Sequence, residues 1–243
     1  MSRISFENYG LKAKYYKNET KVAGRFKIQE KAEKNILIDV INKMSINSDD
    51  NLLDIGCGSG NLLIPLSFVC KQVSGIDHVS CIERLNKRIK KIKNIECILG
   101  NFLDISMDRK FDKILCYSVL HYLTDEDEVI MFIHKALKLL KPGGIALFGD
   151  IPNTSLKQRF LNSKSGIEFS KKWARVIQGE NQPKNSIKLN LVKDKALVQF
   201  NDDLVLKILR NTRAKGFDSS VLTQPPHLPF GYTREDILIK NPD

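Results

Sequence analysis

Asp54, Gly56, Gly58 and Gly60 stand two residues apart in the stretch LLDIGCGSGNLL, a carboxylate followed by three glycines between two apolar runs. Glycine takes positive φ at no steric cost and carries no side chain, so such a turn lets a ligand lie against backbone N–H groups at a helix start. Two other ligand loops do not fit. The dinucleotide pattern G-x-G-x-x-G fails because the third glycine, Gly60, falls one position early and Asn61 follows it. A Walker-type phosphate loop fails because no G-K-[ST] comes after the glycines. Other reactive side chains are scattered. Cys57, Cys70, Cys81, Cys97 and Cys116 never form a C-x-x-C pair, which argues for reduced thiols and against zinc or a disulfide framework. His78, His121, His134 and His227 show no metal-ligand spacing, so no metal is expected. Cys57, between two glycines, reads as a small loop residue rather than a nucleophile.

These residues need a scaffold, and the apolar pattern supplies one. Residues 28–44 carry apolar side chains at helical spacing, NLLDI (51–55) is a buried strand entering the glycine turn, and residues 61–70 continue as a helix that tolerates an early Pro65. The alternation then repeats. QVSGID (72–77) is a strand, residues 80–92 a helix, IECILG (95–100) and FDKILCYS (111–118) strands, residues 125–141 a helix stopped by Pro142-Gly143-Gly144, and GIALFGD (144–150) a strand. Such alternation implies an α/β fold with a parallel sheet covered on both faces. Residues 151–200 break the rhythm, contain the single tryptophan, Trp173, and read as an inserted lid. A capped helix over 201–217 and strands at 218–224 and 234–240 follow.

Five motifs resemble, in order and spacing, those of the class I S-adenosylmethionine-dependent methyltransferases. LLDIGCGSG is similar to their first motif, SGIDHV to the second strand with its ribose-binding acid, and ILGNFLDI to the adenine-contacting segment. FDKILCYSVLHYL and LLKPGGIALFGD resemble the motifs of the fourth and fifth strands. The resemblance implies a Rossmann-like fold with seven strands, mostly parallel and the last antiparallel, helices on both faces, and one domain over residues 1–243. Within it, residues 1–50 would form an N-terminal helical cap and residues 151–200 the lid. It implies S-adenosylmethionine as cofactor and S-adenosylhomocysteine as product. The cofactor-binding set is then Asp54, Gly56, Cys57, Gly58, Gly60, Asp77, His78, Asn101, Phe102 and Tyr117. Asp54 would hold the ammonium and Asp77 both ribose hydroxyls. Asn101 and Phe102 would face the adenine, although the family more often has Asp where Asn101 stands.

Methyl transfer from a sulfonium is an in-line displacement, so alignment and exclusion of water come first. A hydroxyl acceptor also needs a base. His121, in SVLHYL after the fourth strand, is the candidate, with Tyr117 beside it; Tyr122, Asp150, Trp173 and Tyr232 are candidates for lining the acceptor pocket. The segment CYSV lacks the D-P-P-Y-type motif of nucleobase amine methylation, and Leu115 rather than proline precedes Cys116, which lowers the nucleic-acid reading.

The net charge of +11 is concentrated in residues 1–47, 84–93 and 151–200. Lysines dominate these clusters, which suits a solvated surface or a small anionic ligand better than bidentate phosphate recognition. The reading is a small-molecule methyltransferase acting on oxygen of an anionic or sugar-type metabolite. An RNA methyltransferase docking through its basic insertion and a non-catalytic cofactor-binding module are the alternatives. A hydrophobic content of 42% without a membrane-length apolar run, and a polar N-terminus without a signal segment, predict a cytoplasmic protein, monomeric or homodimeric, with no membrane partner.

Overall fold

The computed structural model describes residues 3–180 and 197–242. Strands β1 (Asn51–Ile55), β2 (Gln72–Asp77), β3 (Ile95–Leu99), β4 (Phe111–Tyr117), β5 (Leu140–Pro152), β6 (Asp218–Thr223) and β7 (Arg234–Lys240) form one sheet in the order β3-β2-β1-β4-β5-β7-β6. The first five pair in parallel, and β7 runs antiparallel to both β5 and β6. The seven-stranded, mostly parallel architecture expected from the sequence is therefore present.

The period of two along each strand separates the two cores. Leu52, Leu115 and Leu147 face one side, where they pack with Ile36, Val40 and Met44 of α3 (Glu30–Met44), Leu63 and Leu66 of α4 (Leu63–Leu66) and Ile82 and Leu85 of α5 (Val79–Arg88). Leu53, Ile114, Cys116 and Phe148 face the other, against Phe132 and Ile133 of α6 (Glu126–Leu137) and Leu204 and Ile208 of α9 (Asp202–Arg213). Because β1 is covered on both faces, the turn that follows it opens only at the carboxyl edge of the sheet. That edge is where open α/β folds bind ligands.

Several expected boundaries differ: the helices expected over 80–92 and 201–217 end at Arg88 and Arg213, and two further differences have a visible cause. The helix expected over 61–70 is only the four residues of α4, because the chain must re-enter the sheet at Gln72. Its last carbonyls are claimed locally: the Ser67 hydroxyl donates to Ile64 O at 2.7 Å, and the Asn94 amide donates to Ser67 O at 2.7 Å and Cys70 O at 3.3 Å. Pro142-Gly143-Gly144, expected as a helix stop ahead of a strand, lies inside β5, since α6 already ends at Leu137. Gly143 adopts φ 71° there, and its N–H donates to Asn241 O at 2.9 Å.

Ahead of the sheet, α1 (Arg3–Tyr15) and α2 (Glu19–Val22) lie over α5. Arg84 of α5 ties them down. Its guanidinium donates to the carbonyls of Ala13 at 3.0 Å and Lys17 at 2.9 Å, to the carbonyl of Tyr16, and to Glu19 at 2.8 Å. A cation on the open carbonyls of a helix C-terminus is the favourable end for its dipole. Arg84→Ala is expected to destabilise this cap by about 2 kcal/mol. Limited trypsin digestion checks it: cleavage after Lys12, Lys14 and Lys17 should quicken while the sheet core survives.

The excursion after β5 begins at Asn153, whose carboxamide oxygen caps α7 (Thr154–Leu161) by accepting from Ser155 N at 2.8 Å and Leu156 N at 3.1 Å. The chain continues through α8 (Lys164–Glu180) and is back beside Asn153 at Phe200, where Thr154 N donates to Phe200 O at 2.8 Å. Part of the expected lid, residues 181–196, lies outside the described residues, as do residues 1–2 of the expected cap. Among the described residues, no helix is long and apolar enough to cross a membrane.

Candidate active site

At the end of β1 the chain turns sharply at Gly56, with φ 84°. A Cβ there would come within 2.4 Å of Val119, so the turn needs glycine for both its conformation and its packing against the β4 edge. Gly58 differs. It also has positive φ, 56°, but nothing lies within 4 Å of where its Cβ would be. That empty space belongs to a cavity of about 450 Å³, whose lining includes Asp54, Gly58, Asp77, Arg25, Tyr117 and Ser118. Gly56 and Cys57 line it as well. The volume suits a small ligand or cofactor.

Two acids at the glycine turn, Asp54 and Asp77, belong to this lining. Asp54 is buried, and desolvation together with the neighbouring charge of Asp77 pushes its carboxyl up to about 8. Asp77 is raised by burial too, although its oxygens accept from Gly58 N at 2.7 Å and His78 N at 2.6 Å. The Cys57 thiol is driven well above its ordinary value by burial and by both aspartates, so it stays protonated and is a poor nucleophile. Two buried carboxyls with their charged forms disfavoured make a receptor for positive charge.

One wall is the carboxyl end of β4, at Tyr117, Ser118 and Val119, and the end of β5 is bonded to it from outside the lining. Ser118 and Asp150 both hold left-handed backbone, φ 61° and 59°, and the Ser118 hydroxyl donates to the Asp150 carboxylate. Asp150 falls where the β5–β7 register shifts between Phe148 and Ile151, and this bulge re-aims it out of the strand alternation. Its amide donates to Asp236 Oδ1 at 2.8 Å, and its carboxylate lies 3.7 Å from Arg25 and 3.8 Å from Arg234. Asp236 is paired with Lys43 at 2.7 Å and accepts from Gln224 at 2.8 Å; Gln224 also donates to the Tyr117 hydroxyl at 3.0 Å. The Tyr117 phenol, raised well above its ordinary value by burial and then by the charge of Asp150, is fixed and neutral.

His121 sits in the turn after β4, buried, with its ring 4.2 Å from that of Tyr122, which in turn meets Tyr9 at 5.0 Å. Burial, then the charge of Arg234, lowers the imidazole to about 3. It is therefore neutral at physiological pH, and among the described residues its Nδ1 has no hydrogen-bond partner.

His121, Tyr122 and Asp150 are not among the residues that line the cavity, and further expected site residues also lie away from it. His78 turns toward α1: its Nδ1 accepts from Ser80 N at 3.1 Å to cap α5, its Nε2 is 3.3 Å from Glu7, and Phe6 packs on its edge. Asn101 caps the turn after β3 by accepting from Leu103 N at 3.3 Å, and Phe102 is in the core, edge-on to Phe132 at 4.9 Å. Gly60 faces Leu85 and Ile64 beneath the loop. Trp173 stacks on Phe169 at 5.9 Å and meets Phe26 edge-on at 5.7 Å; Tyr232 stacks on Phe160 at 4.6 Å. These rings form a cluster bordering Arg25 through its neighbour Phe26. Sequence reasoning missed Arg25, Glu33 and Ser118. A faint signal existed for the first, since Arg3 and Arg25 are the arginines among eight lysines in residues 1–47.

Comparison with known proteins adds the family. A model described as a methyltransferase domain matches residues 46–202. Nodulation protein S of Rhizobium tropici is 33% identical over 100 residues, 41% of this chain and 42% of that protein, so the match spans less than half of that relative's length. Among solved structures, the N-methyltransferase NodS from Bradyrhizobium japonicum WM9 in complex with S-adenosyl-L-homocysteine superposes with TM-score 0.63 at 18% identity, over 98% of this chain and 99% of that one. Haemonchus contortus phosphoethanolamine N-methyltransferase 1, in complex with phosphoethanolamine and S-adenosylhomocysteine, gives TM-score 0.69 at 17% identity, over 97% of this chain and 48% of that one. At such identities the structural likeness establishes the fold.

Proposed function

The chain belongs to the methyltransferase-domain family, and from that membership we propose that it transfers the methyl group of S-adenosylmethionine to a hydroxyl of a small acceptor bearing an anionic group. The observation that carries the reading is one cavity joining the glycine turn, Asp54 and Asp77 to the polar end of β4, where Ser118 is bonded to Asp150 of β5. The residues fit the cofactor. Space over Gly58 admits a ligand against the backbone, Asp54 suits an ammonium, and Asp77 can accept from two ribose hydroxyls. When bound, the cofactor supplies an electrophilic methyl on a cationic sulfur.

Around that point the protein's own groups align and desolvate. Val119 and the neutral Tyr117 exclude water from the reacting side. Arg25 and Arg234, both beside Asp150, give an anionic acceptor a place to dock. His121 is the neutral acceptor for a hydroxyl proton, through its unpartnered Nδ1. A second reading, transfer to nitrogen, is favoured by one observation: an imidazole lowered to about 3 is a weak base, and a neutral amine needs none.

The test is incubation of the purified protein with methyl-labelled S-adenosylmethionine and a size-fractionated cell extract. Label in a low-mass product is expected, and the carbon NMR shift of the new methyl separates oxygen from nitrogen. Nuclease-sensitive label in the large fraction would overturn the small-molecule reading in favour of RNA. Binding without any label would favour a non-catalytic module.

A further inference from the structure

The basic stretch 84–93, where charge concentrates in the sequence, takes no part in the cavity. Arg84 and Arg88 are engaged with Glu19. Lys90, Lys91 and Lys93 instead lie in the turn between α5 and β3, exposed and without an ion-pair partner among the described residues. The packing of this turn sets their direction. Ile89 is buried and Ile92 half-buried in the cluster that also holds Leu66 and Val69, and Ile92 N donates to Ile89 O at 2.8 Å. The isoleucines go inward and the lysines outward.

Phe68 stands beside them. It follows α4 in a turn whose carbonyls are held from the lysine turn: the Asn94 carboxamide donates to Ser67 O at 2.7 Å, Cys70 O at 3.3 Å and Lys71 O at 3.4 Å. Val69 packs into the core, and Phe68 is left 76% exposed, more than any other large apolar side chain among the described residues. Lys71, also exposed, adds a fourth cation. Asp50, whose carbonyl accepts from Lys71 N at 3.0 Å, has its carboxylate taken by Lys113 at 4.0 Å and by Asn47 N at 2.8 Å. An exposed ring alone needs no partner, but a fixed ring among unpaired lysines has a definite complement, an anionic surface with an apolar layer beneath it.

That complement is a lipid surface rather than a nucleic acid. Single strands stack on successive aromatic platforms, and phosphate recognition favours the arginine fork; one ring among lysines offers neither. A bilayer interface uses both features, because its negative potential attracts lysines and its headgroup layer accepts a ring. Such a peripheral contact needs no membrane-spanning segment.

We propose that the turns 67–71 and 89–94 form a peripheral docking surface for anionic membranes, with Phe68 inserted and Lys71, Lys90, Lys91 and Lys93 around it. Both turns lie at the amino edge of the sheet, ahead of β2 and β3. The cavity opens at the carboxyl edge, so docking leaves the glycine turn free for its ligands.

Flotation with vesicles of phosphatidylcholine, alone or with one third phosphatidylglycerol, tests this. Wild-type protein should float with the anionic vesicles, stay behind with the neutral ones, and be released at high salt. Lys90→Gln combined with Lys91→Gln should weaken the partition about 25-fold, at roughly fivefold for each lysine, and Phe68→Ser about tenfold. These side chains are exposed, so both variants should melt with wild type. Phe68→Trp supplies a reporter whose emission should shift to the blue on anionic vesicles, while Trp173, the single tryptophan of the wild-type chain, should not respond. Failure of wild-type protein to float, or equal flotation with neutral vesicles, overturns the proposal. A response from Trp173 in the wild type overturns it too, by moving the contact to α8. Binding to transfer RNA without binding to vesicles would overturn it in favour of a nucleic acid.

Discussion

Asp77→Ala is expected to lower the affinity for S-adenosylhomocysteine by about 100-fold or more, the loss of two charge-assisted hydrogen bonds at roughly 1.5–3 kcal/mol each. Asp77 ends β2 next to the glycine turn, buried enough that its carboxyl is raised, and it already accepts from Gly58 N and His78 N. A ligand diol would add its donors to a carboxylate whose position these two amides set. Asp77→Asn keeps one accepting oxygen and should fall between wild type and alanine. Calorimetry gives the affinities, and circular dichroism separates lost binding from a lost turn. Undiminished affinity in a folded Asp77→Ala protein would sink the ribose role.

Asp54 yields the other large effect, with opposite consequences for stability and binding. Its folded-state carboxyl is pushed up to about 8, first by burial and then by Asp77. In the unfolded chain the same group titrates near ~3.9. Between those values the folded protein holds a proton that the unfolded chain has released. Stability therefore falls as pH rises from about 4 to about 8, and the loss is complete above that. Asp54→Asn removes the ionisation. It should melt higher than wild type at pH 8.5, by about 2 kcal/mol or roughly 4–8 °C for a chain of this size, with the gap closing toward pH 4. The same variant should bind S-adenosylhomocysteine about tenfold or more weakly, because an amide cannot offer a charge to the ammonium. A site kept destabilised for its ligand is the usual conflict between stability and activity. Melting curves at pH 5 and pH 8.5 decide it; a difference that does not grow with pH would show that Asp54 is already ionised in the folded protein.

The sheet and the turn that opens it were legible in the chain because both rest on local chemistry. Apolar runs of strand length, alternating with amphipathic segments, leave few packings other than a parallel sheet covered on both faces. A carboxylate with glycines at alternate positions is itself the turn at the end of β1. Residues 61–70 were less legible. Their composition suits a helix, but competition from the Ser67 hydroxyl and the Asn94 amide for the last carbonyls is invisible without knowing that Asn94 lies across from them.

Within the site, the sequence by itself determined which residues stand at strand ends, and only the tertiary structure decided which way their side chains face. His78 follows β2 immediately, yet it turns to α1 because Gly10 leaves room for its ring: a Cβ at Gly10 would come within 2.2 Å of it. Phe102 follows β3 but packs on Phe132 of α6. Arg25 meets Ser118 across 93 residues of chain, and Asp150 meets Asp236 across 86. Contacts at such separations leave no periodicity or spacing to read. Their closure entropy is met by burial of the whole sheet rather than by any local signal, so the acids of the glycine turn could be named from the sequence while the arginine facing them needed the fold.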